Sequence, residues 1–166
     1  MITQTRLKEL LHYCPDTGDF TWIKRTSNRI KVGSIVRSVG NHGYYRMGID
    51  KNDYLVHRMA YLYMTGDMPD KEVDHINHNR LDNSWSNLRK ATRQENARNC
   101  SLSKANTSGH TGVEWWKRDS NWRATIMIEG KLRHIGYYAE KSDAIAARRA
   151  ADVENGFHNN HGDKAA

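Results

Sequence analysis

Cysteine is nearly absent from this chain of 166 residues: Cys14 and Cys100 are its only two, and neither has a CxxC partner. That excludes a disulfide framework, suiting a reducing cytoplasm, and argues against a structural zinc knuckle. Apolar residues are scarce, at 37% of the chain with 9% aromatic, which favours small cores over one large one. No run approaches the roughly 18 apolar residues of a membrane span. The N-terminal MITQTRLKELLHY lacks the long apolar centre of a signal peptide. No tandem repeat suggests a solenoid.

What the chain does have is positive charge, a formal +7. Residues 1–100 hold 16 Lys and Arg against 11 Asp and Glu, and residues 101–166 hold 10 against 8. Both parts are mildly basic and neither is a polybasic tail, so an anionic partner is expected. The length allows one ordinary domain or two small ones.

Local patterns divide the chain further. Leu7, Leu10 and Leu11 have helical spacing within 3–13, and Pro15-Asp16-Thr17-Gly18 is a turn. Residues 20–23 read as a strand and 24–31 as a polar, basic loop. Residues 33–39 and 44–49 are strand-like, with a hairpin turn at 50–53. A short helix from His57 should end at Gly66. Val73–Ile76 is the next strand. Thr92-Arg93-Gln94-Glu95 forms a capping box, opening a helix to about Asn99. Ser101–His110, rich in Ser, Asn, Thr and Gly, reads as a linker. Three strands (112–116, 122–129, 132–138) and a helix (142–155) follow.

The richest stretch is EVDHINHNRLDNSWSNLRKATRQENARN, Glu72 to Asn99. Phosphodiester hydrolysis needs a base for water and charge stabilisation at the leaving oxygen. His75 titrates near neutrality and can take the proton. Asp74 and Asn96 offer hard oxygens, which suit one divalent metal ion, Mg²⁺ first and Mn²⁺ second. Adjacent strand residues face opposite ways, so Asp74 and His75 need a twisted or terminal strand position. Asp82 and Asn83 read as turn formers. Trp85, Leu88 and Ile76 read as local core, and Arg89, Arg93 and Arg98 as phosphate contacts.

This stretch resembles the HNH nucleases, in an H-N-N variant like that of phage-type homing endonucleases. The resemblance implies a ββα-metal (His-Me finger) fold that cuts nucleic acid. His75 would then be the general base, and Asp74 and Asn96 the metal ligands. Asn87 would tie the loop to the strand and so orient His75. His57 matches a recurrent His-Arg before the family's short helix and is expected to pack rather than ligate. The leader from Pro15 to Gly66 resembles that of the same enzymes, with Arg25, Arg29 and Lys31 along a DNA backbone.

The stretch TGVEWWKRDSNWRATIMIEGKLRHIGYYAEKSDAIAARRAADVENG resembles the DNA-binding domain of plant ethylene-response factors, three antiparallel strands on one helix. Ala124, Ile126 and Ile128 should face the helix, with Arg123, Thr125 and Met127 outward. Ala144, Ile145, Ala147, Ala151 and Val153 should face the sheet. Carried over by position, the outer face offers Glu114, Trp116, Arg123, Thr125, Met127 and His134, with Lys117 and Arg118 in the first turn. Glu114, Trp116 and Met127 depart from the family's arginines, so no target sequence carries over.

Together these readings predict an α+β chain: a nuclease domain with its leader (1–100), a linker (101–110) and a small three-stranded antiparallel sheet packed on one helix (111–166). The expected activity is metal-dependent endonucleolytic cutting of double-stranded DNA, as in a free-standing phage homing endonuclease. The setting would be the cytoplasm of a phage-infected bacterial host cell, with monomer and dimer both open. One rival is a non-cleaving DNA-binding regulator with a decayed nuclease site. Another is a nuclease serving packaging or host-DNA degradation.

Overall fold

Leu7 and Leu10 lie on the first helix, α1 (Gln4–Leu10), and both are buried. Thr3 caps it, its hydroxyl accepting from the Arg6 amide. The helical spacing does not run on to residue 13. Leu11–Tyr13 turns extended and forms strand β1, paired antiparallel with β2 (Phe20–Trp22). Leu11, Tyr13, Phe20 and Trp22 then all point into the core while His12 faces solvent. A partner strand with two buried aromatics outweighs one further helical turn.

The computed structural model describes residues 2–103, 105–159 and 161–162, and the chain forms two units, Met1–Arg93 and Gln94–Ala166. In the first, β3 (Ser38–Val39), β4 (Tyr45–Ile49) and β5 (Asn52–Leu55) form a three-stranded antiparallel sheet in that order. The strand expected over 33–39 shrinks to its last two residues, with an isolated bridge between Thr21 and Ile35 before it. Asp50 and Lys51 both adopt left-handed backbone, the tight two-residue connection that hairpin twist requires. Helix α2 (Val56–Thr65) ends at Gly66 in the left-handed conformation, as the glycine predicts. Strand β6 (Glu72–His75) pairs antiparallel with β7 (Leu88–Ala91), and a one-turn 3₁₀ helix (Trp85–Asn87) leads into β7. The core is one cluster drawn from α1, β1, β2, β4, α2, β6 and β7, among them Leu7, Tyr13, Phe20, Met47, Met59 and Leu88.

Helix α3 (Arg93–Ala97) starts directly after Thr92 and is shorter than the capping box suggests. Among the described residues, 101–110 carry neither helix nor strand. The second unit is an antiparallel sheet ordered β10-β9-β8, from β8 (Val113–Trp116), β9 (Asn121–Ile128) and β10 (Lys131–Tyr138), packed on α4 (Lys141–Glu154). Ala124 on β9 and Ala144 on α4 are fully buried, so the small side chains do allow helix and sheet to approach closely.

Two expectations fail here. Thr125 does not face outward to solvent; it is buried, its hydroxyl donating to the Gly112 carbonyl at 3.4 Å. Val153 is 76% exposed, and the buried position one turn after Ala144 belongs to Arg148. A guanidinium can take that place because Thr111 and Asp152 accept its hydrogen bonds, at 2.9 and 2.7 Å. Among the described residues no helix is long and apolar enough to cross a membrane.

Candidate active site

His75 is the last residue of β6, buried to 3% exposure, and Asp74 precedes it opposite Arg89 on β7. Both side chains are buried at this strand end. Burial makes the His75 imidazole harder to protonate, partly offset by its bond to Asn83. At neutral pH it is the unprotonated, proton-accepting form.

The tautomer follows from chemistry. His75 Nε2 lies 3.2 Å from Asn83 Oδ1, while Asn83 Nδ2 donates to the Leu81 carbonyl at 3.2 Å. An amide oxygen only accepts, so Nε2 carries the proton and Nδ1 keeps the lone pair. Asn83 is therefore more than a turn former. Nothing in its spacing from His75 announced this; only the folded loop brings the two together.

Asn83 is itself braced by the N-terminal hairpin. The Tyr13 hydroxyl donates to the Asn83 carbonyl at 2.7 Å, and the Trp85 amide donates to Pro15 O at 2.8 Å. Gly18, with a left-handed backbone, packs so closely that a Cβ there would collide with the backbone of Asn83 and Ser84. Burial raises the Tyr13 pKa, so this phenol remains a donor. The leader thus positions the loop that positions His75.

Asn87 acts further from the imidazole. Its Oδ1 accepts from the Asn77 amide at 2.9 Å, its Nδ2 donates to Asp82 O at 2.8 Å, and its carbonyl accepts from Ile76 N. It stitches the loop closed across its base. Asp82 accepts from the Ser84 amide and hydroxyl, a local Asx turn.

Asp74 Oδ2 receives Nε and Nη2 of Arg89 at 3.1 and 2.9 Å. Arg89 thereby anchors the carboxylate. Asn96 lies partly buried on α3, in the second unit. Its carbonyl accepts from the Cys100 thiol at 3.7 Å. The Asp74 and Asn96 side chains each carry a hard oxygen of the kind Mg²⁺ takes. Among the described residues no group of three or more His, Cys, Asp and Glu could hold a metal.

The remaining candidates are scattered. Arg25 and Arg29 are exposed on the loop between β2 and β3, Arg25 bonding Ser27 O and Asn28 Oδ1. Arg93 is almost wholly exposed and pairs with Glu72 at 3.6 Å. In the second unit, Trp116, Arg123 and His134 cluster on one sheet face with Tyr137. The Arg123 guanidinium lies 3.9 Å over the Trp116 ring, and the His134 and Tyr137 rings are 4.5 Å apart. Arg123 Nε also donates to Glu114 at 3.0 Å. Lys117 and Arg118 are exposed in the adjoining turn, and Arg118 pairs with Asp119. Thr125 is withdrawn from that set by its burial.

A family model described as HNH endonuclease matches residues 54–98, from the end of β5 to just past α3. Protein 3.8 of Escherichia phage T7 is 44% identical over 63 residues, 38% of this chain and 52% of that protein. An uncharacterized HNH endonuclease, L560, of Acanthamoeba polyphaga mimivirus is 37% identical over 99 residues, 58% of this chain and 50% of that protein. The chain spans about half the length of these curated relatives. Among solved structures, that of the HNH homing endonuclease I-HmuI aligns with a TM-score of 0.42 at 25% identity, over 54% of this chain and 51% of that one.

Proposed function

We propose that this protein is a metal-dependent DNA endonuclease, acting on double-stranded DNA in the cytoplasm of a phage-infected bacterium, in the manner of a free-standing homing endonuclease. The segment 54–98 is of the HNH endonuclease type. The observation that carries the reading lies within it: a buried histidine, His75, whose Nε2–H is held by Asn83 so that Nδ1 is the basic nitrogen. Such a group is built to accept a proton.

In this reading His75 Nδ1 takes a proton from water as its oxygen attacks phosphorus. The P–O3′ bond breaks, giving a 5′ phosphate and a 3′ hydroxyl. Asn83 keeps the tautomer, and Asn87 keeps the loop that carries Asn83. Asp74, steadied by Arg89, and Asn96 would hold the cation, Mg²⁺ first and Mn²⁺ second. When bound, the cation supplies charge neutralisation at the leaving oxygen. Arg25, Arg29, Arg93 and the Trp116–Arg123–His134 face are the surfaces offered to DNA, which the basic charge favours.

The test is supercoiled plasmid with Mg²⁺, beside EDTA and His75→Ala controls. The expected outcome is conversion to open-circular or linear DNA, abolished by EDTA and slowed about 10²–10⁴-fold in His75→Ala. Tight DNA binding without cutting, on plasmid and on phage genomic DNA alike, would favour the non-cleaving regulator.

A further inference from the structure

Beside His75 lies a second buried histidine for which the chemistry above has no use. His57, in the first turn of α2, is 5% exposed, and among the described residues its Nδ1 has no hydrogen-bond partner. Its ring meets that of His75 edge to face, centroids 5.1 Å apart and planes 80° apart. Tyr44, just before β4, contacts both, 5.0 Å from His57 and 5.7 Å from His75. Tyr44 is itself covered by the Arg80 guanidinium at 5.0 Å, whose Nη1 donates to the His42 carbonyl at 2.9 Å.

Asn83 holds the Nε2 edge of the His75 ring, and two flat neighbours, His57 on α2 and Tyr44 just before β4, bear on its plane. A buried polar nitrogen without a partner carries a cost that an apolar side chain of similar volume would avoid. An aromatic ring at this position makes an edge-to-face contact with His75 that an aliphatic side chain cannot make.

We infer that His57 is a positioning residue for His75, holding the plane of its imidazole together with Tyr44. The inference rests on the nuclease reading for its consequence, but the ring geometry can be measured without cleavage. His57 neither touches DNA nor carries the proton; it keeps Nδ1 aimed.

The experiment compares the full-length protein with His57→Phe and His57→Leu, both of which fill the space. Long-range ¹H–¹⁵N imidazole spectra report the His75 tautomer. Single-turnover plasmid nicking and DNA affinity are measured on the same samples. Wild type and His57→Phe should show one Nε2–H tautomer of His75 and cleavage rates within about threefold. His57→Leu should keep the Nε2–H tautomer that Asn83 sets but show broadened and shifted His75 ring signals, and cleave about 10- to 100-fold more slowly with unchanged DNA affinity, since small misplacements of a reacting group cost rate rather than binding. His57→Leu with the wild-type spectrum and rate would overturn the inference, as would a His57→Phe protein that behaves like His57→Leu. If wild type cuts nothing while the spectra separate as expected, the positioning role stands and the nuclease reading falls. If wild type cuts and the variants match it in spectrum and rate, the reverse holds.

Discussion

The two units of this chain solve the same problem by different means. The first buries leucines, aromatics and methionines from seven elements in one cluster, with Leu7, Leu11, Met59 and Ala60 wholly inaccessible. The second buries only Val113, Ala124, Ile126 and Ala144 among its described hydrophobic residues, supplemented by half-buried Trp122, Ile135, Tyr138 and Ile145. It makes up the difference with polar and aromatic contacts, including the buried Arg148 between Thr111 and Asp152 and the Arg123–Trp116 stack. The site histidine belongs to the first unit. A thick apolar surround is what allows His75 and His57 to be buried unprotonated. The thinner unit leaves Trp115, Met127, Leu132 and Tyr137 exposed.

The contrast can be broken most sharply at Phe20, which is almost fully buried against Tyr13, their ring centroids 4.7 Å apart. Phe20→Ala should cost about 3–5 kcal/mol, read by chemical denaturation and by faster amide exchange in β1 and β2. In the second unit the equivalent lever is electrostatic. Arg148→Ala leaves the partly buried Asp152 without its guanidinium and should cost about 3 kcal/mol. The double replacement Arg148→Met with Asp152→Leu should recover most of that loss. A single Arg148→Ala of negligible effect would mean that the second unit leans on its apolar contacts after all.

Acid acts on the first unit as well. Burial first, then the charge of His75 and of Arg58, brings the His57 pKa down to about 3 from an ordinary 6.5. The unfolded chain therefore takes up the proton first as pH falls. His57's contribution is complete above pH 6.5 and is lost progressively toward pH 3. At 1.36 kcal/mol per pH unit this amounts to a few kcal/mol. His57→Phe should flatten that part of the stability–pH curve. The smallest effect concerns the sheet face. Glu114→Gln removes the carboxylate that holds Arg123, and should raise DNA affinity a few-fold and steepen its salt dependence by about one unit of slope.

Much of the second unit was legible from sequence because strand alternation and tight turns are local properties. Glu129-Gly130, both left-handed, join β9 to β10 where the pattern breaks. The errors there were of a kind that periodicity invites. Thr125 alternates outward by count, yet a neighbouring segment at Gly112 covers it. Arg148 looks like a solvent residue until Thr111 and Asp152 are seen to receive it. In the first unit, α2 and its Gly66 cap were readable, whereas β1 was not. Whether Leu11–Tyr13 coils or extends depends on Phe20 and Trp22 arriving beside it.

The candidate site divides along the same line. The residue types needed for the chemistry, His75 with Asp74 and a downstream amide, are written in order along one short stretch, since donor and base chemistry belong to individual side chains. Their orientation is not. The Nε2–H tautomer comes from Asn83, Asn83 is held by Tyr13 and a close approach at Gly18, and the ring plane is bounded by His57 and Tyr44. These partners come from segments up to 70 positions apart. Sequence alone determined which groups could accept a proton or hold a cation. Tertiary structure decided which nitrogen of His75 faces Asn83 and which keeps its lone pair, because hydrogen-bond direction and ring contact exist only between residues the fold has brought together.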